Sequence, residues 1–269
     1  MPATRLLRLP GSCNLRDFGG YATADGRRVP RGRLLRSGLL DGLAPEAVAA
    51  LEALPLRAVC DLRRVEERRL RPNPAFDSAV RLHAWEATAE TSPIRDPRFA
   101  GSGSLAEARV AMVEMYRRIP FVLQPRLAGV FGALAETDTG ATLVHCSAGK
   151  DRTGVAVALV LESLGVPRAT VLADYALTND AVDLRAQLVD RRAPGLGLAA
   201  TRDPLLALSA PALEAVLDAH PDYLRAALEA IEARHGSLER YLLDELALAP
   251  ALLAHLRSTL LEQPCPEAA

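Results

Sequence analysis

Lysine is almost absent from this chain. Of its 32 basic residues only one, Lys150, is a lysine, and the rest are arginine. A general preference for arginine explains the excess but not the one lysine kept, which lies in the segment HCSAGKDRTG at 145–154. Aromatic residues make up only 4% of the chain, so its core must be built from Leu, Val and Ala. No basic surplus exists: the formal net charge is -1, which argues against a non-specific nucleic-acid binder. The four cysteines, Cys13, Cys60, Cys146 and Cys265, lie far apart with no CxxC pair and no Cys/His spacing. That pattern suggests neither a zinc site nor a disulfide framework, and no metal or cofactor is expected. The N-terminal stretch lacks the apolar segment of a signal peptide, and no run of about 18 apolar residues occurs. A cytoplasmic, reducing location without stable membrane insertion is the expectation. Secretion without a cleaved signal is compatible with the same pattern.

What is present alternates between short apolar runs and helical patterns. Residues 33–36, 56–62, 80–85 and 142–144 read as strands. Residues 46–54, 105–118, 121–136 and 154–164 read as helices, the last almost wholly apolar and stopped by Pro167. From 168 to 261 the pattern is helical nearly throughout, and 86–104 reads as a long loop. Strands alternating with helices predict an α/β fold with a central, mostly parallel sheet flanked by helices. No repeat or linker divides the chain, so a single domain over 1–269 is expected, with its core at about 8–261.

The chemistry concentrates at 145–154, between a strand and a buried helix. Backbone N–H groups converge in such a loop and the helix dipole favours negative charge, so it suits an anion. Gly149 and Gly154 allow the tight curvature. Cys146 opens the loop, where N–H groups and Arg152 would favour a thiolate, the nucleophilic form. Arg152 follows at Cys-x5-Arg spacing and can hold two phosphate oxygens with its planar fork. Ser147, Ala148, Gly149, Lys150 and Asp151 would wrap the phosphate between them. Thr153 offers a hydroxyl to the sulfur, and His145 is placed to orient the loop. Cys-x5-Arg alone is a weak signal in an arginine-rich chain. The full His-Cys-x2-Gly-x2-Arg-Thr-Gly segment in a strand–loop–helix setting is a strong one.

HCSAGKDRTG resembles the signature loop of the cysteine-dependent protein tyrosine phosphatase superfamily, and its Lys and Asp narrow the likeness to the bacterial tyrosine-protein phosphatase family. NLRDFGGY at 14–21, LLRSG at 34–38, CDLRRVEE at 60–67 and YLRAALEAIEARHGSLERYL at 223–242 resemble other segments of that family. The resemblance spans about 8–261. It implies a phosphatase acting through a cysteinyl-phosphate, with phosphotyrosine proteins and, in some members, phosphoserine/threonine or phosphoinositides as substrates and inorganic phosphate as product. It also implies a helical lid, for which about 175–208 are the natural candidates. Sulfur transfer and arsenate reduction also start an anion loop with cysteine, but Thr153 and the complete segment argue against them. A non-catalytic phosphate-binding module is a further alternative, against which the intact Cys146 and Arg152 speak.

The proton donor is less defined, because no Trp-Pro-Asp motif occurs. Asp151 ranks first, favoured by the resemblance. Asp61 ranks second, at the end of a strand where open α/β sheets place ligands, with pairing to Arg63 or Arg16 an equal alternative. Asp96 reads as an Asp-Pro turn. Lys150 either contacts a second phosphate or is solvated on the loop rim, with the first favoured. Asn14, Arg16 and Asp17 either buttress the loop or form a turn. Cys60 could bridge to Cys146 if their strands are neighbours, although a buried thiol is commoner. The run RRVEERRLR at 63–71 reads as a solvated helix with compensating charges.

Overall fold

The computed structural model describes residues 5–86, 102–137, 139–190 and 208–262. Asp96, Cys265 and much of the 86–104 loop lie outside the described residues, as do 191–207 of the lid candidate. The rest of that candidate is the end of a helix, a short helix at Thr178–Ala181 and a wide helical turn at Ala186–Asp190.

Five strands form one sheet: β1 (Arg16–Asp17), β2 (Leu34–Ser37), β3 (Leu56–Asp61), β4 (Arg81–Ala84) and β5 (Ala141–His145), in the order β1-β2-β5-β3-β4. β2, β5, β3 and β4 run parallel, and only the two-residue β1 is antiparallel, so the expected mostly parallel sheet is present. Successive residues of a strand face opposite ways. Leu35, Val59 and Leu143 therefore join one apolar cluster, with Leu51 of α1 (Pro45–Ala53), while Leu34, Cys60 and Val144 join a larger one. Strands buried on both faces need apolar residues at consecutive positions, which is why these runs do not alternate.

The larger cluster is covered by α3 (Leu105–Val122), α4 (Gln124–Ala135) and α5 (Asp151–Ser163), with α6 (Arg168–Ala176), α7 (Thr178–Ala181), α8 (Ala210–Leu217), α9 (Pro221–His235) and α11 (Pro250–Thr259) beyond; a short α2 (Val65–Leu70) follows β3, and a single turn, α10 (Leu238–Arg240), follows α9. Local signals set the helix ends. The Ser104 hydroxyl accepts from the Glu107 N–H at the start of α3, and Ser209 accepts from Ala212 at the start of α8. Gly236, at φ 80°, closes α9 in the left-handed conformation.

The register brings Ser37, His145 and Asp61 abreast at the carboxyl ends of β2, β5 and β3. Cys146 leaves the central strand there, where open α/β sheets form ligand crevices. α5 begins at Asp151, three residues before the sequence pattern suggested. Its first turn is polar, so apolar periodicity could not reveal it.

A buried polar net lies under that edge. Asp174 of α6 accepts from Arg36 Nη1 at 2.6 Å and from the Tyr21 hydroxyl at 3.0 Å, and Arg16 Nη2 lies 3.7 Å from it. Burial alone would raise the Asp174 carboxyl; Arg36 and Arg16 outweigh that and hold it below its ordinary value. Truncating it would leave two buried guanidiniums unmatched. We expect Asp174→Ala to lower the unfolding free energy by about 3–5 kcal/mol in urea titration; a loss below about 1 kcal/mol would contradict this role for the ion pair.

Candidate active site

The loop from Cys146 to Lys150 is held by groups from two earlier segments, 14–16 and 36–39. Asn14 Nδ2 donates to the carbonyls of Ala148 (3.2 Å) and Gly149 (3.0 Å), and Arg36 Nη2 donates to Gly149 O at 2.9 Å. The Leu39 N–H donates to Ser147 O at 3.0 Å. Arg16 donates to Asn14 Oδ1 and so fixes its amide. These contacts draw the loop carbonyls outward. The N–H groups of residues 147–153 meanwhile meet no protein acceptor among the described residues. Gly149 sits at φ 65°, and a Cβ there would come within 2.5 Å of Ser37 O, so the tight curve requires glycine. Of the 14–17 segment, Asn14 and Arg16 buttress the loop, whereas Asp17 makes the turn, accepting from the N–H groups of Gly19 and Gly32.

Cys146 opens this cradle and is 1% exposed. It carries no disulfide, and neither does Cys60, whose thiol burial pushes well above its ordinary value. Thr153, in the first turn of α5, is fully buried, with its hydroxyl unpartnered among the described residues.

Arg152 is held by a residue the sequence did not single out. Its Nη1 donates to Glu67 Oε2 at 2.7 Å and its Nη2 to Glu67 Oε1 at 2.8 Å. The Ser147 hydroxyl donates to the same Oε1 at 2.7 Å. Burial would raise the Glu67 carboxyl, but Arg152 and Ser147 hold it well below the usual carboxylate range. Burial likewise opposes the charge on Arg152; Glu67, with the nearby Cys146 and Asp151, raises it above its ordinary value. Nη1 also reaches Leu62 O at 3.4 Å and Nη2 the Ser147 hydroxyl at 3.3 Å, which leaves Nε without a partner among the described residues and available to an oxyanion. The 63–71 run is thus not a simple solvated helix: Glu67 belongs to the site and Arg63 is fully buried. Only a partner some 85 residues away in the chain gives Glu67 its role, so the local charge pattern could not disclose it.

A second arginine was also missed. Arg126 of α4 shares the Leu62 carbonyl with Arg152, at 3.1 and 3.4 Å, and its Nε and Nη2 are buried without partners among the described residues. Burial first, then Arg152 and Arg68, pull its guanidinium down to about 10. Cationic excess therefore surrounds the loop beyond the single charge of Arg152.

Asp61 is directed elsewhere. Fully buried, it accepts from Arg63 Nη2 at 2.7 Å, Arg63 Nε and N at 2.9 Å, and Asn73 Nδ2 at 3.0 Å. The Arg63 pairing weighed for it is the one present, and its remaining near contact is His145 Nε2 at 3.5 Å. A carboxylate two residues before an arginine closes such a pair locally, before it can reach the loop.

Lys150 is not on the loop rim. It is 1% exposed, and its ammonium donates to the carbonyls of Val216 and, at 2.9 Å, Asp218, at the carboxyl end of α8. Cations are favoured there, where helix carbonyls lack intrahelical partners. The same ammonium lies 3.3 Å from Asp151 Oδ1. Asp151 is the first residue of α5, its side chain is 22% exposed, and its Oδ1 accepts from the Tyr116 hydroxyl at 2.6 Å.

A family model described as the tyrosine phosphatase family matches residues 7–262. A Cupriavidus necator protein bearing the name tyrosine-protein phosphatase is 36% identical over 89% of this chain and 84% of its own length. The triple specificity protein phosphatase PtpB of Mycobacterium tuberculosis is 33% identical over 94% of this chain and 98% of its own length. A tyrosine-protein phosphatase of Nostoc commune is 30% identical over 68% of this chain and 59% of its own length.

His145, buried beneath the loop, gives the fold a pH dependence. Burial is the main cause that pulls its imidazole from 6.5 down to about 4, with Asp61 opposing and Arg63 and Arg152 assisting. The ring is neutral at neutral pH, so the contact with Asp61 is not an ion pair. Between those values the unfolded chain binds the extra proton, so stability is full above about 6.5 and falls as pH drops toward about 4. His145→Asn should flatten urea-derived stability in that window by up to about 1.4 kcal/mol per pH unit. An unchanged slope would contradict the buried neutral ring.

Proposed function

The chain belongs to the tyrosine phosphatase family, and from that premise we propose that this phosphatase works through a cysteinyl-phosphate on Cys146, with protein phosphotyrosine as its principal substrate. The observation that carries the mechanism is the cradle itself: a thiol at its mouth, seven consecutive N–H groups without acceptors among the described residues, and an arginine locked by Glu67. The relative named for triple specificity supports a reach beyond one class of phosphate ester, and phosphoserine/threonine and phosphoinositide turnover are the further activities proposed. Residues about 8–261 are read as one domain. A thiolate nucleophile suits a reducing, cytoplasmic setting. Among the described residues no helix is long and apolar enough to cross a membrane.

The backbone of Ser147, Ala148, Gly149, Lys150, Asp151 and Arg152 binds the equatorial phosphoryl oxygens, and the Nε of Arg152 adds a charged donor. Cys146 Sγ attacks phosphorus; the S–P bond forms as the ester P–O bond breaks. The leaving oxygen takes a proton from Asp151. Water then attacks phosphorus, the S–P bond breaks to return the thiolate, and the Asp151 carboxylate takes the water proton. Inorganic phosphate departs. The Thr153 hydroxyl supports the departing thiolate. Glu67 positions Arg152, and His145 with Asp61 supports the strand end from which the loop springs. The Lys150 side chain ties the loop to α8, while its N–H serves phosphate.

Cys146→Ser should abolish turnover of an aryl phosphate while inorganic phosphate still binds; undiminished turnover would overturn the mechanism. Asp151→Asn should cost about a hundredfold in kcat on an ester with a poor leaving group, and Asp61→Asn distinctly less. Parent-level turnover by Asp151→Asn on that ester would remove Asp151 as the acid.

A further inference from the structure

Both neighbours of the Asp151 carboxylate act on one oxygen. Tyr116 Oη lies 2.6 Å from Oδ1 and Lys150 Nζ lies 3.3 Å from the same atom. Oδ2 has no hydrogen-bond partner among the described residues. Behind Tyr116, the Tyr175 hydroxyl lies 2.6 Å from its oxygen. An ionised carboxylate only accepts, so Tyr116 donates to Oδ1, and its own oxygen accepts from Tyr175. Burial pushes both phenols well above their ordinary values, so both keep their protons.

The chain of hydroxyls is rigid. Tyr116 is fully buried in α3, its ring packed at 5.5 Å from Tyr223 and edge-on at 6.1 Å from Tyr175. Tyr175 lies against the first turn of α5, where a Cβ on Gly154 would come within 2.9 Å of its ring. α3, α5 and α6 thus meet at one carboxylate.

We propose that Tyr116 is a positioning residue for proton transfer, engaging Oδ1 of Asp151 so that the exchangeable proton resides on Oδ2 and faces the leaving oxygen, with Tyr175 fixing the direction of the Tyr116 hydroxyl. The proposal rests on Asp151 as the acid. In the first step Oδ2 loses its proton to the leaving oxygen as that oxygen receives the P–O electron pair; in the second, Oδ2 regains a proton from the attacking water. Tyr116 keeps its own proton in both, and the Tyr116–Oδ1 hydrogen bond strengthens as Asp151 ionises.

The test compares Tyr116→Phe with the parent on phenyl phosphate, a poor leaving group, and on nitrophenyl phosphate, a good one. The expected kcat loss is about tenfold on the first and within about threefold on the second, because proton donation matters only for the poor leaving group. KM and inhibition by inorganic phosphate should stay within about twofold, since the phosphate cradle is untouched. Added to Asp151→Asn, Tyr116→Phe should cost within about twofold more, as expected for residues acting through one group. Tyr175→Phe, which keeps the ring and its packing, should show a smaller loss in the same leaving-group order, and reads the proposal even where Tyr116→Phe does not fold. Equal losses on both esters, or multiplicative losses in the double variant, would overturn the role of Tyr116. Asp151→Asn insensitive to the leaving group would overturn Asp151 as the acid, and this role with it. Asp151→Asn sensitive with both tyrosine variants insensitive would overturn this role alone.

Discussion

Asp174 stands between Arg16 and Arg36, all three buried, and the anion loop hangs from those two arginines. Arg36 reaches the Gly149 carbonyl directly, and Arg16 reaches the loop through Asn14, which bonds the carbonyls of Ala148 and Gly149. A loop that gathers N–H groups around an anion must send its carbonyls elsewhere, and unpartnered buried carbonyls are costly. The net supplies their donors. One carboxylate on α6 therefore sets two cations, which set the loop geometry, which sets the cradle. A buried ion pair is weak evidence for stability as such. Here its value lies in specifying one arrangement of the backbone.

Above the net, each charged side chain of the loop is committed before any phosphate arrives. Glu67 takes the Nη1/Nη2 end of Arg152, Lys150 takes the carboxyl end of α8, and Tyr116 takes one oxygen of Asp151. What remains uncommitted among the described residues is what the proposed phosphoryl transfer would use: the Nε of Arg152, the loop N–H groups, Oδ2 of Asp151 and the Thr153 hydroxyl. Preorganisation of this kind avoids reorienting dipoles during the reaction. The Lys150 contact also joins the loop to the carboxyl end of α8.

The sheet and the signature loop were legible in the sequence because their causes are local. Consecutive apolar residues at 58–60 and 143–144 mark doubly buried strands, and the glycines, Cys146 and Arg152 stand at fixed spacing. Glu67, Arg126 and Tyr116 were not legible, because each acquires its role from a residue far along the chain. Glu67 looked like one charge among many in RRVEERRLR, and Tyr116 like one apolar position of α3. Lys150 stood out by its rarity, but its direction depended on α8, which no local pattern locates. Asp61 illustrates the opposite case: its partner was nearby, and the nearby partner won.

Rapid acid quench of a turnover with phosphorus-labelled aryl phosphate tests the nucleophilic role of Cys146 most directly. The expected result is label bound covalently to the peptide carrying Cys146, lost in Cys146→Ser and accumulating in Asp151→Asn, whose second step lacks its base. Full turnover with no covalent label, or label on another residue, would contradict it.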